Sequence, residues 1–197
     1  MTPLAFGIDF GTSNSTVGLA DSAGARLLAL EDASPTLPSA VFWQVEGAPP
    51  LFGRAAIAAY LEGEDGRLMR GLKSTLGSGL IHDKTAVGGR AVAFREVLAR
   101  FIGHLRAAQQ AVAPSDSVIL GRPVHFVDDD PAADAAAEAT LAEIARDCGW
   151  REVAFQFEPI AQRHARSAEG VDDCVLYLPL AVLVVDRRRE TAHWHRY

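Results

Sequence analysis

Cysteine is nearly absent from this chain, with Cys148 and Cys174 the whole supply among 197 residues. One possible pair is no disulfide framework, and neither cysteine sits at a metal-ligand spacing. A reducing, cytoplasmic compartment is therefore expected. Long apolar runs are also missing: the best, Val175 to Val185, covers about eleven residues and contains Pro179, against about eighteen for a membrane span. The first residues reach an acid at Asp9 without a basic start or an apolar stretch, so neither a signal peptide nor a membrane partner is expected. Basic charge is short as well. The formal charge is −6, the pI is near 5.5, and no Lys/Arg cluster with interleaved aromatics precedes the last dozen residues. Nothing here attracts a phosphate backbone, which argues against nucleic acid as a partner. Lysine is the scarcest base, only Lys73 and Lys84 standing among the arginines, a bias that with abundant Ala and Gly suggests a GC-rich coding genome.

What is present is enough apolar material, 49% of the residues, for one good-sized core or two small adjoining ones. Leu4 to Asp9 and Ser15 to Ala20 read as strands of a hairpin, Arg26 to Leu30 as a third strand and Ser39 to Gln44 as another, which predicts an opening antiparallel meander. Arg54 to Leu61 is a helix candidate and Leu68 to Leu76 a weaker one. From Ala91 to Val112 the apolar positions Val97, Phe101 and Leu105 recur at four-residue steps beside Leu98 and Ile102, predicting a helix with one buried stripe. Ser117 to Leu120 follows as a buried strand. Asp130 then caps a helix with Pro131 at its first position and Gly149 after its end, and Val153 to Phe157 is the next strand. Long helices between strands imply parallel pairing in this later portion. The expected fold class is α/β, a mixed sheet with flanking helices.

The richest segment chemically is Gly7-Ile8-Asp9-Phe10-Gly11-Thr12-Ser13-Asn14-Ser15-Thr16. It sets an acid at the end of a buried strand and follows it with a glycine and hydroxyl or amide side chains in a hairpin turn. Successive backbone N–H groups in such a turn can form an anion nest, Gly11 permits close approach, and Thr12 and Ser13 add donors. Asp9 can hold Mg²⁺ through water. It is not a P-loop, because the glycine-lysine spacing is wrong and a strand, not a helix, follows. Its residues are also those of an ordinary hairpin turn, so its context has to decide between the two.

That context is a resemblance. The segment is similar to the phosphate motif on the first hairpin of the actin-like ATPase superfamily, in the form found in the 70-kilodalton heat-shock chaperones, both DnaK-type and YegD-like. Pro38-Ser39-Ala40-Val41 and Phe52-Gly53-Arg54-Ala55-Ala56 resemble that family's Pro-Ser strand and the helix start after it. Gly71-Leu72-Lys73-Ser74-Thr75-Leu76-Gly77 resembles the segment whose lysine points at the γ-phosphate, which would make Lys73 a catalytic cation. Val118-Ile119-Leu120-Gly121-Arg122-Pro123 resembles the next family strand, and Phe157-Glu158-Pro159-Ile160-Ala161 the element whose glutamate lies near Mg²⁺ and the attacking water. The resemblance runs in order over residues 4 to 161 and implies an actin-like, ribonuclease H-like lobe. It implies ATP or ADP and Mg²⁺ as ligands, Gly11, Thr12, Ser13 and Asn14 as phosphate contacts, and Asp9, Lys73 and Glu158 as catalytic residues, with Asp9 also the metal contact. In the intact family, unfolded proteins and co-chaperones are partners.

Beyond Ala161 the resemblance fails in part. Val182-Leu183-Val184-Val185-Asp186 supplies the expected strand and a candidate nucleotide-binding Asp186, but Arg187-Arg188-Arg189 follows where a glycine-rich second phosphate loop is expected. Three arginine side chains cannot form the close cradle that glycines provide. Residues 1–161 therefore read as the N-terminal lobe and 162–197 as a diverged or frame-shifted stretch, since glycine codons of a GC-rich gene shifted by one base become arginine codons. ATP hydrolysis is expected to be impaired, and the chaperone chain to be truncated. A non-enzymatic interaction module or an inactive pseudogene product is the alternative, and an actin-like sugar kinase ranks third, for want of a sugar-binding acid. His193-Trp194-His195 lacks a third metal ligand and is set aside.

Overall fold

The first hairpin forms because alternate residues on both of its strands are apolar and a short polar turn joins them. In this computed structural model, residues 5–22 and 24–157 are described, together with the strand backbone of 173–178, 181–186 and 191–196. β1 (Ala5–Phe10) pairs antiparallel with β2 (Asn14–Asp21), Ile8 opposite Val17 and Asp9 opposite Thr16. β3 (Gly24–Leu27) continues the meander on β2, and β4 (Leu37–Pro38) adds a short pairing at the other end of β2.

A second, smaller sheet follows, built from β5 (Ala40–Gln44), β6 (Leu51–Phe52) and, after α1 (Gly53–Leu61), β7 (Gly66–Arg70). The two-residue side-chain period of β5 sorts its faces. Ala40 and Phe42 pack with Ala56 and Ala59 of α1, whereas Val41 and Trp43 enter the main core. α2 (Ser74–Gly77) is a single turn. β8 (Lys84–Val87) and β9 (Arg90–Ala93) form a hairpin, and α3 (Phe94–Val112) leaves it directly.

β10 (Ser117–Arg122) returns to the main sheet parallel to β1, α4 (Pro131–Asp147) crosses over, and β11 (Glu152–Phe157) lies parallel to β10. The strand order is β11-β10-β1-β2-β3, with β4 beside β2. Val97, Leu98, Phe101, Ile102 and Leu105 of α3 bury the expected stripe against Phe6, Ile8 and Phe10 of β1 in one cluster. β12 (Asp173–Leu178), β13 (Ala181–Asp186) and β14 (Thr191–Arg196) form an antiparallel sheet, with β14 beside β3 and β12 beside β11. The fold is mixed α/β, a mixed sheet with an opening antiparallel meander and flanking helices.

Two expectations are corrected. Leu68 to Leu76 is not a helix: Gly66–Arg70 is a strand against β5, and Gly71 at φ 64° turns the chain before α2. Pairing with an already half-buried strand outweighs the modest helix propensity of the stretch. The long helix starts at Phe94 instead of Ala91, because Ala91 to Ala93 belong to β9. The missed signal was Gly88-Gly89, two residues at φ 53° and 78° joining four-residue strands, the backbone that a two-residue hairpin demands. Other local readings hold. Asp130 caps α4, its Oδ1 accepting from the N–H groups of Ala132 and Ala133 at 3.1 and 3.0 Å, and Gly149 follows the helix at φ 106°. Among the described residues no helix is long and apolar enough to cross a membrane.

Candidate functional site

The carboxyl ends of β1, β10 and β11 share one edge of the main sheet. Ile8 is level with Leu120 and Arg122 with Phe157, all three strands running the same way. In open α/β sheets this edge is where ligands bind, because the chain turns there and leaves backbone groups for a guest. Asp9, Gly11 and the turn at 11–13 lie on it. A cleft lined by Phe6, Ile119, Arg151 and Val153 opens at the opposite, amino edge, away from that turn.

Asp9 is buried, at 3% exposure, one residue before the end of β1. Gly11 is buried too, whereas Thr12 and Ser13 are exposed and Asn14 is half-buried. The turn is held from beneath by Ser39, whose N–H donates to the carbonyl of Ser13 at 2.8 Å and whose hydroxyl donates to that of Gly11 at 2.6 Å. The exposed Thr12 and Ser13 hydroxyls can donate to an anion, and a carboxylate such as that of Asp9 is an oxygen ligand of the kind Mg²⁺ takes. Among the described residues no group of three or more His, Cys, Asp or Glu side chains could hold a metal alone.

Lys73 arrives from a separate element. Gly71 reverses the chain, the Ser74 N–H donates to its carbonyl at 3.0 Å, and Lys73 opens α2 with 7% exposure. Its neighbours Leu72 and Leu76 belong to the cluster that also holds Ile8 and Phe10, the neighbours of Asp9. Glu158 is the residue after Phe157, at the carboxyl end of β11, and lies outside the described residues. Asp186 ends β13, its backbone level with Asp173 and Thr191.

No protein-family model matches this chain, and no curated protein sequence matches it either. The motifs themselves therefore carry the resemblance.

The residue that sequence reasoning passed over at this edge is Arg122. It is 8% exposed and its donors are spent on the protein: Nε on the carbonyl of Pro123 at 3.0 Å, Nη2 on Asp134 at 2.6 Å and on the carbonyl of Val124 at 3.2 Å, and Nη1 on Glu138. The guanidinium carbon also lies over the rings of Phe126 and Phe157, 5.1 Å from each centroid. Burial opposes its charge, but the two carboxylates outweigh burial and hold its pKa above the ordinary value. An arginine so committed is a clamp on the edge rather than a phosphate ligand. The signal was an arginine closing an apolar strand, followed by Asp134 and Glu138 one helical turn apart.

Proposed function

We propose that this chain is the phosphate-binding lobe of an actin-like, ribonuclease H-like ATPase of the heat-shock chaperone kind, and that it binds Mg-ATP weakly with little turnover. The observation that carries the reading is the buried Asp9, one residue ahead of the Gly11–Asn14 turn, near the carboxyl end of a strand that pairs parallel with β10 on one side and antiparallel with β2 on the other. An antiparallel meander followed by parallel strands is also the arrangement the resemblance implies, which supports the reading without carrying it.

In this reading the turn's N–H groups and the Thr12 and Ser13 hydroxyls hold the β- and γ-phosphates. Asp9 orients the water shell of Mg²⁺, and the ammonium of Lys73 offsets charge developing on the transferred group. Magnesium held through Asp9 would supply charge neutralisation for the phosphates. Glu158 would orient the attacking water. Catalysis would be weak because Arg187-Arg188-Arg189 stands where glycines would bring backbone N–H groups against the nucleotide.

The same three arginines favour a second reading, a non-enzymatic interaction module that keeps the fold alone. Calorimetry separates them. Weak Mg-ATP binding abolished by Asp9→Ala and by Lys73→Ala supports the first reading. Binding indifferent to both substitutions sinks it, and micromolar affinity with sustained phosphate release sinks the weak-turnover part.

A further inference from the structure

We infer that Ser39 is a positioning residue that sets the polarity of the Gly11–Asn14 turn, an inference resting on the phosphate-binding reading above. Ser39 joins β4 to β5 and is buried at 2% exposure. β4 brings it there by pairing Pro38 with Asn14 and Leu37 with Ser15. Besides its bonds to the Gly11 and Ser13 carbonyls, its Oγ lies 2.9 Å from the Oγ of Ser15, which is also buried.

A hydroxyl carries one proton. Ser39 gives its proton to the carbonyl of Gly11, so Ser15 must be the donor between the two hydroxyls. The chain of donation runs from Ser15 to Ser39 to Gly11, and each of these residues is buried.

The consequence for an anion follows from peptide geometry. Among the described residues no peptide bond is cis. In a planar trans peptide the carbonyl and the following N–H point opposite ways. Drawing the Gly11 and Ser13 carbonyls toward Ser39 therefore turns the N–H groups of Thr12 and Asn14 away from it. Oxygens that would repel phosphate are held inward, and the donors that would attract it are left outward. Because the anchor is a pair of buried hydrogen bonds, the orientation is set before a ligand arrives, which removes an ordering cost from binding.

The test is an amide NMR titration of the full chain with Mg-tripolyphosphate, which presents linked phosphates without adenosine. In the wild type the Thr12 to Asn14 amides are expected to shift. Ser39→Ala is expected to raise Kd about tenfold, the worth of one lost charge-orienting hydrogen bond. Ser39→Thr, which keeps the hydroxyl, restores binding, and Gln109→Leu, a destabilising change to a side chain bonded to Trp150 instead of to the turn, leaves Kd unchanged. Should circular dichroism show Ser39→Ala unfolded, Ser39→Cys replaces it, keeping the shape with a weak donor. Wild-type affinity in Ser39→Ala or Ser39→Cys overturns the inference and leaves the phosphate reading standing. A wild-type chain whose turn amides never shift overturns that reading and the positioning role together.

Discussion

Arg122 closes the carboxyl end of β10 by reaching across to Asp134 of α4, Nη2 standing 2.6 Å from Oδ2. Glu138 takes its other terminal nitrogen, so a nearly buried cation ties a strand end to the first turns of a helix. Removing one partner of such a group leaves the others uncompensated. Arg122→Met is expected to cost about 3 kcal/mol in urea unfolding. Arg122→Lys should recover little of that, because a point ammonium cannot reproduce the planar fork.

The same contact sets an acid dependence. The hydrogen bond from Arg122, joined by the Phe126 N–H at 2.5 Å, holds the Asp134 carboxyl below its usual range. The unfolded chain then takes the proton first as the pH falls. Stability from this group is complete above the ordinary carboxylate value of about 3.9, and drains away as pH drops through the lower folded value. Acid titration of Arg122→Met should lack this part of the transition.

His104 supplies a second pH dependence nearer neutrality. Its ring stacks on Phe52 at 4.4 Å, in a cleft shared with Pro49, Pro50 and Arg100. Burial lowers its pKa, and the charge of Glu31 opposes that only in part. The unfolded state binds the proton more readily, so stability should fall as pH drops below about 6.5. His104→Phe should flatten that region of a melting-temperature profile while leaving the acid limb of Asp134 in place.

Gly53 is expected to tolerate no side chain. It opens α1 at φ 61°, where a Cβ would strike Leu37 Cδ1 and stand 2.9 Å from Glu31 Oε1. Glu31 is itself the helix cap, accepting from the Arg54 and Ala55 N–H groups at 2.7 and 3.2 Å and pairing with the Arg54 guanidinium at 2.8 Å. Gly53→Ala should therefore lose about 2 kcal/mol, and Glu31→Ala about 1 kcal/mol, both read by chemical unfolding.

If Asp9 holds magnesium, chelation and mutation should not add. Removing Mg²⁺ with EDTA should weaken ATP binding to the wild type by tenfold or so. Asp9→Asn should start weak and respond little to the chelator. Equal responses in the two proteins would remove Asp9 from the metal site.

Much of this was legible locally. The Asp130 cap with Pro131, the Gly149 stop and the four-residue apolar steps of α3 each depend on neighbours within one or two helical turns, and each stands where the sequence places it. Gly66–Arg70 failed because its state depends on β5, more than twenty residues earlier, and a pairing that distant leaves no mark on a short window. Arg122 was passed over because its role depends on acids twelve and sixteen residues on.

The opening turn divides in the same way. Its chemistry, an acid ahead of Gly11, Thr12, Ser13 and Asn14, is written in consecutive residues and could be read without a structure. Its orientation could not, because the groups that point the Gly11 and Ser13 carbonyls inward belong to Ser39, which reaches the turn only once β4 has paired with β2. Local sequence determines which donors and acceptors are available, since these are properties of single residues. Only tertiary packing decides which of them are spent inside the protein and which remain for a ligand, since a hydrogen bond between distant residues exists only after the chain has folded.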